Sequence, residues 1–317
     1  MKPAVCGYYG KLPLSPEFLR LHASGPELRW LDEWLQQGVV YAKAQEGMAW
    51  QERLAHARPY SFFYVPCREG RIVSGVLIAS QDQAGRAFPF MSFVLFDRHG
   101  FTDAPWLIPV ATSQFLRDTT TAIQTLRAGL EWEAFSHEVQ QRWAPTPRAF
   151  PAKQAFAKFT QITTVGQWWF GDPVLANDAN QAMIGRLFTQ VVKARRQGVH
   201  NLRFGICSDG SASHLDLSFW LYLCLQRCAD GASLDTGLIS FWKNEPQGGV
   251  AMISIGPGSP NAVRFIVNPE AEGEGWWDVC ASVDGVMQGG NSPSTPKPSD
   301  LGMSLTTFSR FILEDHV

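Results

Sequence analysis

Residues 61–96 contain three apolar runs: Ser61-Phe62-Phe63-Tyr64-Val65, Ile72-Val73-Ser74-Gly75-Val76-Leu77-Ile78-Ala79 and Phe88-Pro89-Phe90-Met91-Ser92-Phe93-Val94-Leu95-Phe96. Each run is short, rich in Phe, Val and Ile, and separated from the next by a polar or glycine-containing break, the pattern of consecutive strands in a meander. Pro89 has no N–H to give to a ladder, so it belongs at the start or the edge of the third strand. Working back toward the N-terminus, residues 5–13 place β-favouring tyrosines between glycines and stop at Pro13, a short strand running into a turn. From Glu27 onward, Leu31, Trp34, Leu35, Val39 and Ala42 fall on one face of a helix of about five turns. A second helical piece covers 48–57. Beyond the meander, Thr102 or Asp103 offers an N-cap with Pro105 near N1, and Phe115, Thr119, Ala122, Ile123 and Leu126 continue a helical stripe.

Several prolines then mark a connector over 131–153, with a short helix near 131–139. Past it, 182–196 reads as helix and 201–207 as strand. Residues 214–228 form a strongly apolar helix introduced by Ser213, with Asp216 three residues later as a capping-box variant. Runs at 238–242, 250–255 and 263–267 supply further strands. Residues 289–299 carry too little apolar surface to order themselves and read as a flexible linker, after which Leu301, Leu305, Phe308, Phe311 and Ile312 can form a short docking helix. The expected class is mixed α/β (α+β): two lobes, each a mostly antiparallel or mixed sheet flanked by helices. The expected division is 1–130, a connector over 131–153, a second lobe over 154–288, and a tail over 289–317.

Composition narrows the function. With 317 residues, 45% of them hydrophobic, and with 12 Trp and 21 Phe, the chain has ample material for a core, which excludes wholesale disorder and a coiled coil. Its formal net charge of −2 gives no global positive field for phosphate backbones, so no nucleic-acid partner is expected. The N-terminus lacks the apolar stretch of a secretory signal, and no apolar run reaches the roughly 18 residues a bilayer requires. A cytoplasmic protein without membrane insertion is expected. The six cysteines form no C-x-x-C pair and read as reduced, mostly buried thiols.

Catalytic constellations are not found. The segment Ser208-Asp209-Gly210-Ser211-Ala212-Ser213-His214-Leu215-Asp216 gathers serines, a histidine and carboxylates, yet it lacks the G-x-S-x-G of a nucleophile elbow and is explained by a strand-to-helix loop capped by Ser213. Cys224 and Cys228 lie one helical turn apart among leucines with no further ligand nearby, and the seven histidines are scattered singly, so no metal site is expected. Gly248-Gly249 and Gly256-Pro257-Gly258 do not fit a phosphate loop and read as hairpin turns. No cofactor is expected. Of the Trp-Trp pairs at 168–169 and 276–277, at least one ring each should reach the surface, because neighbouring side chains diverge on either kind of element.

Two loops stand out. Gly7-Tyr8-Tyr9-Gly10-Lys11-Leu12-Pro13 has closely spaced glycines and a single charge; Ser80-Gln81-Asp82-Gln83-Ala84-Gly85-Arg86-Ala87-Phe88-Pro89 joins two apolar strands through a turn with one acid and one base. An Asp82–Arg86 pair that merely pins the loop would contribute about 0–1 kcal/mol if exposed. In this order, around a Trp-bearing helix, the loops make the sequence resemble the TagF family, also called ImpM, of proteins associated with type VI secretion. Gly7, Gly10, Lys11, Leu12 and Pro13 match a G-x-x-G-K-L-P motif, Trp34-Leu35, Pro59 and Phe63 match the middle, and Gly75-Val76-Leu77, Ser80, Asp82, Gly85, Arg86, Phe88 and Pro89 match G-V-L-x-x-S-x-D-x-x-G-R-x-F-P. The match covers about residues 5–130. It departs at Pro16-Glu17-Phe18, where Gly-Asp-Phe is usual, and at Gln83, where Arg is common.

The resemblance implies a non-enzymatic, post-translational repressor of type VI secretion that binds the system's forkhead-associated scaffold protein. In some members the domain is paired with a phosphoprotein phosphatase, although no aspartate set suggestive of that enzyme is evident here. Gly10, Lys11, Pro13, Trp34, Ser80, Asp82, Gly85 and Arg86 are the expected partner-binding residues. The alternative is a nucleotide- or phosphate-binding regulatory enzyme that uses the Lys11 and Asp82/Arg86 loops as an anion site.

Overall fold

Alternation along the apolar runs sends successive side chains to opposite faces of a sheet, and in this chain both faces are covered. The structure is a computed structural model that describes residues 3–67, 70–127, 132–141, 146–164, 167–168, 201–206, 213–228, 237–243, 249–256, 258–271, 276–278, 304–307 and 309. The N-terminal part runs β1 (Val5–Gly10), β2 (Leu19–Leu21), α1 (Pro26–Glu46), α2 (Trp50–His56), β3 (Tyr60–Val65), β4 (Ile72–Ile78), β5 (Phe90–Phe96) and α3 (Ile108–Arg127). After α4 (Trp132–Gln141) and α5 (Ala149–Ile162) come β6 (Asn201–Ile206), α6 (Ser213–Cys228), β7 (Leu238–Lys243), β8 (Gly249–Ile255), the single turn α7 (Arg264–Val267) and β9 (Trp276–Asp278).

The mixed class holds, with mainly antiparallel pairing. The strands assigned from sequence to two lobes lie in one nine-stranded sheet, ordered β2-β1-β5-β4-β3-β7-β8-β6-β9. The join is β3 against β7, antiparallel, with Phe62 opposite Phe241 and Phe63 opposite Ser240. Local sequence marks β3 as a strand but carries no sign of which strand will take its second edge. Only the β6–β9 pair is parallel among the described strands.

Phe63, Val65, Ile72, Val76, Phe90 and Val94 point toward α3 and α6 in one core; Phe62, Tyr64, Val73, Leu77, Met91 and Phe93 point toward α1 in the other. Every residue of β4 and β5 is buried, which is why they read as unbroken apolar runs rather than as an alternating pattern. Pro89 lies immediately before β5, where a ladder donor is not needed.

Two local expectations are corrected. Residues 263–267, read as a strand, form the end of a 3-10 turn (Pro260–Val263) followed by α7. Ser259 accepts a hydrogen bond from the Asn261 N–H and Pro260 opens the turn, so capping chemistry overrides the β-propensity of Val263, Ile266 and Val267. All three pack beneath α1. The cap before α3 is Ala104 rather than Thr102 or Asp103, and Pro105 stands at N1 of a short 3-10 turn leading into the helix.

Trp168 is buried, and its indole N–H donates to Asp216 of α6 at 2.5 Å. Trp276 is half-buried on the edge strand. The expectations for 182–196, for the 289–299 linker, and for Leu301, Phe308, Phe311 and Ile312 lie outside the described residues, as do Trp169 and the side chain of Trp277. Leu305 is described and buried, with its N–H donating to the Thr163 carbonyl. No helix among the described residues is long and apolar enough to cross a membrane.

Candidate functional site

The two glycine-bearing loops meet at one end of the sheet. Strand β1 ends at Gly10, whose φ of +133° suits glycine and whose hydrogen faces the Pro89 carbonyl so closely that a Cβ there would stand 2.1 Å from that oxygen. The chain turns there and delivers Lys11 to the loop between β4 and β5. Lys11 Nζ donates to Asp82 Oδ2 at 2.9 Å, and Arg86 Nε donates to the same oxygen at 2.7 Å. The other carboxylate oxygen, Oδ1, accepts the Ala84 and Arg86 N–H groups at 3.0 and 2.9 Å. Asp82 N–H donates to the Arg86 carbonyl, and Gly85, at φ +78°, closes the turn by donating to the Asp82 carbonyl. One acid thus takes four hydrogen bonds from three residues on the two loops of a single corner.

Asp82 is almost fully enclosed. Burial by itself would raise its carboxyl, but hydrogen bonds from Lys11 and from the Arg86 backbone and side chain, with the Lys11 charge, hold it well below the usual carboxylate range. Lys11 is itself buried and lies 4.9 Å from the centre of the Phe18 ring, which stacks on Tyr9 and meets Phe88 edge-on. Arg86 differs: its side chain is 61% exposed, with Nη2 donating to the Pro16 carbonyl at 2.6 Å.

The two departures from the family pattern fall at this corner. Pro16 contributes its carbonyl, and Gln83 contributes its N–H, which donates to the Ser15 carbonyl at 3.1 Å. Both use main-chain groups, so the corner closes whatever side chains stand there.

Beside the corner opens a cleft of about 490 Å³. One wall is the turn Leu12-Pro13-Leu14, another is Gln51, Leu54 and Ala55 of α2, and the floor is the end of β4 continuing through Ala79, Ser80 and Gln81, with Leu126 of α3 beyond. Apart from Gln51, Ser80 and Gln81 these lining side chains are apolar, and Leu14 is 48% exposed. A mostly apolar concavity with a few polar groups is the common form of a binding site.

Of the eight residues singled out from sequence, Gly10, Lys11, Asp82, Gly85 and Arg86 make the corner, while Pro13 and Ser80 line the cleft beside it. Trp34 sits elsewhere. It is only 4% exposed, donates to the Gly258 carbonyl at 2.7 Å, and stacks between Trp30 and Phe241, so its work is to hold α1 on the sheet. The α2 residues of the cleft and Leu126 were missed, because nothing local ties them to motifs tens of residues away. Phe18 was visible in the motif but not as the ring under Lys11.

The loop before α6 lies largely outside the described residues. His214 is described, and burial foremost, then the charge of Arg117, pushes its imidazole down to about 4. Among the described residues its Nδ1 has no hydrogen-bond partner, and the ring meets Trp242 edge-on. Cys224 is fully buried, and among the described residues no cluster of three or more His, Cys, Asp or Glu could hold a metal ion.

Residues 7–142 match the family described as TagF N-terminal domain, type VI secretion system-associated. Among solved structures, PA0076 from Pseudomonas aeruginosa PAO1 is similar at 17% identity over 84% of this chain and 96% of that one, with a TM-score of 0.46. No curated protein matches this chain.

Proposed function

We propose that this chain, whose residues 7–142 are a TagF N-terminal domain of the type VI secretion-associated family, is a non-enzymatic, post-translational repressor of type VI secretion that works in the cytoplasm by binding the system's forkhead-associated scaffold protein. In this reading a phosphoprotein phosphatase is a second member of the same complex. The observation that carries the reading is the corner: the matched motif residues converge on Asp82, rigidly hydrogen-bonded, beside an apolar cleft that the same motifs wall. A surface that is stiff before it binds loses little conformational freedom on association, which suits recognition of a protein. The competing nucleotide- or phosphate-binding enzyme would need Lys11 for its ligand, and Lys11 is buried against Asp82.

The test is genetic and biochemical. Deleting the gene should raise export of type VI effectors, and the purified chain should capture the forkhead-associated scaffold. Unchanged export together with no capture overturns the reading. A thermal-shift screen addresses the competitor, since a ligand that binds only the folded state raises the midpoint with concentration. A concentration-dependent rise with a nucleotide would favour the enzyme.

A further inference from the structure

The cleft has a defined chemistry, and resting on the reading above it specifies what the scaffold must present. None of its described lining residues is charged, and the Leu12-Pro13-Leu14 turn, Leu54 and Ile78 make its surface mostly apolar. Gln51, Ser80 and Gln81 supply amide and hydroxyl groups of the kind that meet main-chain N–H and C=O groups. Charge enters at one end. The turn that forms one wall continues to Pro16, where Arg86 is anchored. At the corner two cations, Lys11 and Arg86, face the single carboxylate of Asp82, and the cation left facing solvent is Arg86. Its Nε and one Nη2 bond are engaged, which leaves part of the guanidinium fork for a carboxylate from outside.

We infer that the cleft is the docking site for a segment of the scaffold that inserts apolar side chains between the Leu12–Leu14 turn and α2 and sets an acidic residue against Arg86. The half-exposed Leu14 becomes covered on binding, and the apolar cleft supplies the affinity while Arg86 sets the orientation. The corner is built to hold Arg86 in place for this: Asp82 fixes Nε, and Pro16 fixes Nη2.

The experiment uses the full chain with two probes. The first is the purified scaffold, with affinity measured at several salt concentrations. The second is anilinonaphthalene sulfonate, which joins an apolar ring system to an anion and reads the cleft without the scaffold. Gln51→Trp fills the cleft from an exposed helix position, Leu14→Asp places a charge in it, and Arg86→Gln removes the cation. Gln51→Trp and Leu14→Asp should each weaken scaffold binding at least tenfold, and Arg86→Gln should weaken it while flattening its salt dependence. Gln51→Trp should also abolish dye fluorescence enhancement, with thermal midpoints of both cleft variants unchanged. Scaffold binding by the cleft variants equal to that of the unaltered chain overturns the inference while leaving the proposed function standing. Failure of the unaltered chain to bind scaffold overturns the function. In that case the dye still decides the cleft: no enhancement, or enhancement that survives Gln51→Trp, refutes it.

Discussion

Asp82 and His214 both make the fold sensitive to acid, in different windows. The folded-state value of Asp82 lies below that of an unfolded aspartate, so its contribution is fully present above about pH 4 and is lost as pH falls further. His214 is buried and neutral, with its value lowered to about 4 against an ordinary 6.5. The unfolded chain therefore takes up a proton that the folded chain refuses, and stability declines as pH falls from about 6.5 to 4, by something on the order of 3 kcal/mol. Urea unfolding measured across pH should show both losses. His214→Phe should flatten the slope between pH 6.5 and 4 only, and Asp82→Asn should lower stability at neutral pH while flattening the slope below 4. Gly10 is a third single-residue determinant. Gly10→Ala would force a Cβ into the Pro89 carbonyl at a positive φ, and should lower the thermal midpoint measurably, by about 1–3 kcal/mol of stability.

At the scale of elements, α1 is fastened to the segment that follows β8 by both packing and charge. Gly38 lies under that segment, where a Cβ would meet Val263 Cγ2 at 2.2 Å and the Pro260 carbonyl at 2.5 Å. Glu46, at the end of the helix, is buried and paired with Arg264 at 2.5 Å and Arg53 at 2.9 Å, while Asn268 donates to both its oxygens. Burial would raise the Glu46 carboxyl, but hydrogen bonds from Arg264 and Asn268 and the charges of Arg264 and Arg53 bring it below its ordinary range. Removing one partner of such a buried pair leaves an uncompensated charge, at a cost of roughly 3–5 kcal/mol when burial is complete. Arg264 is part-exposed, so Arg264→Ala should cost less than that, and Gly38→Val should cost at least as much as a typical overpacking substitution, about 1–3 kcal/mol. Chemical denaturation of both variants checks the order.

At the scale of the molecule, the β3–β7 ladder makes the N-terminal part depend on the rest of the chain. Cutting after residue 142 would leave β3, which carries Phe62, Phe63 and Tyr64, with an open edge in place of β7. Such an edge pairs with other chains, so the fragment 1–142 should aggregate or dimerise where the full chain does not, as read by light scattering. In calorimetry the full chain should unfold in one transition across that shared sheet. Two well-separated transitions would show that the halves hold together independently.

Most of the elements were legible because their information is local. The apolar runs of β4 and β5, the 3.6-residue stripe of α1 and the Ser213 start of α6 each rest on neighbours a few residues away, and the two loops of the corner were visible as glycines and charges at fixed spacing. Where local signals compete, as at 263–267, the Ser259 cap and Pro260 outweighed β-branched side chains, and packing under α1 holds the result in place. By itself, then, the sequence determined most of the strands and helices and which residues could make a corner. The tertiary structure alone decided that Lys11 and Asp82 are bonded across 71 positions, that Trp34 is core rather than surface, that α2 walls the cleft, and that two sets of strands are one sheet. Strand edges and helix faces are generic in what they accept, so partner choice is set by the whole chain's closure around its core and is written in no single segment.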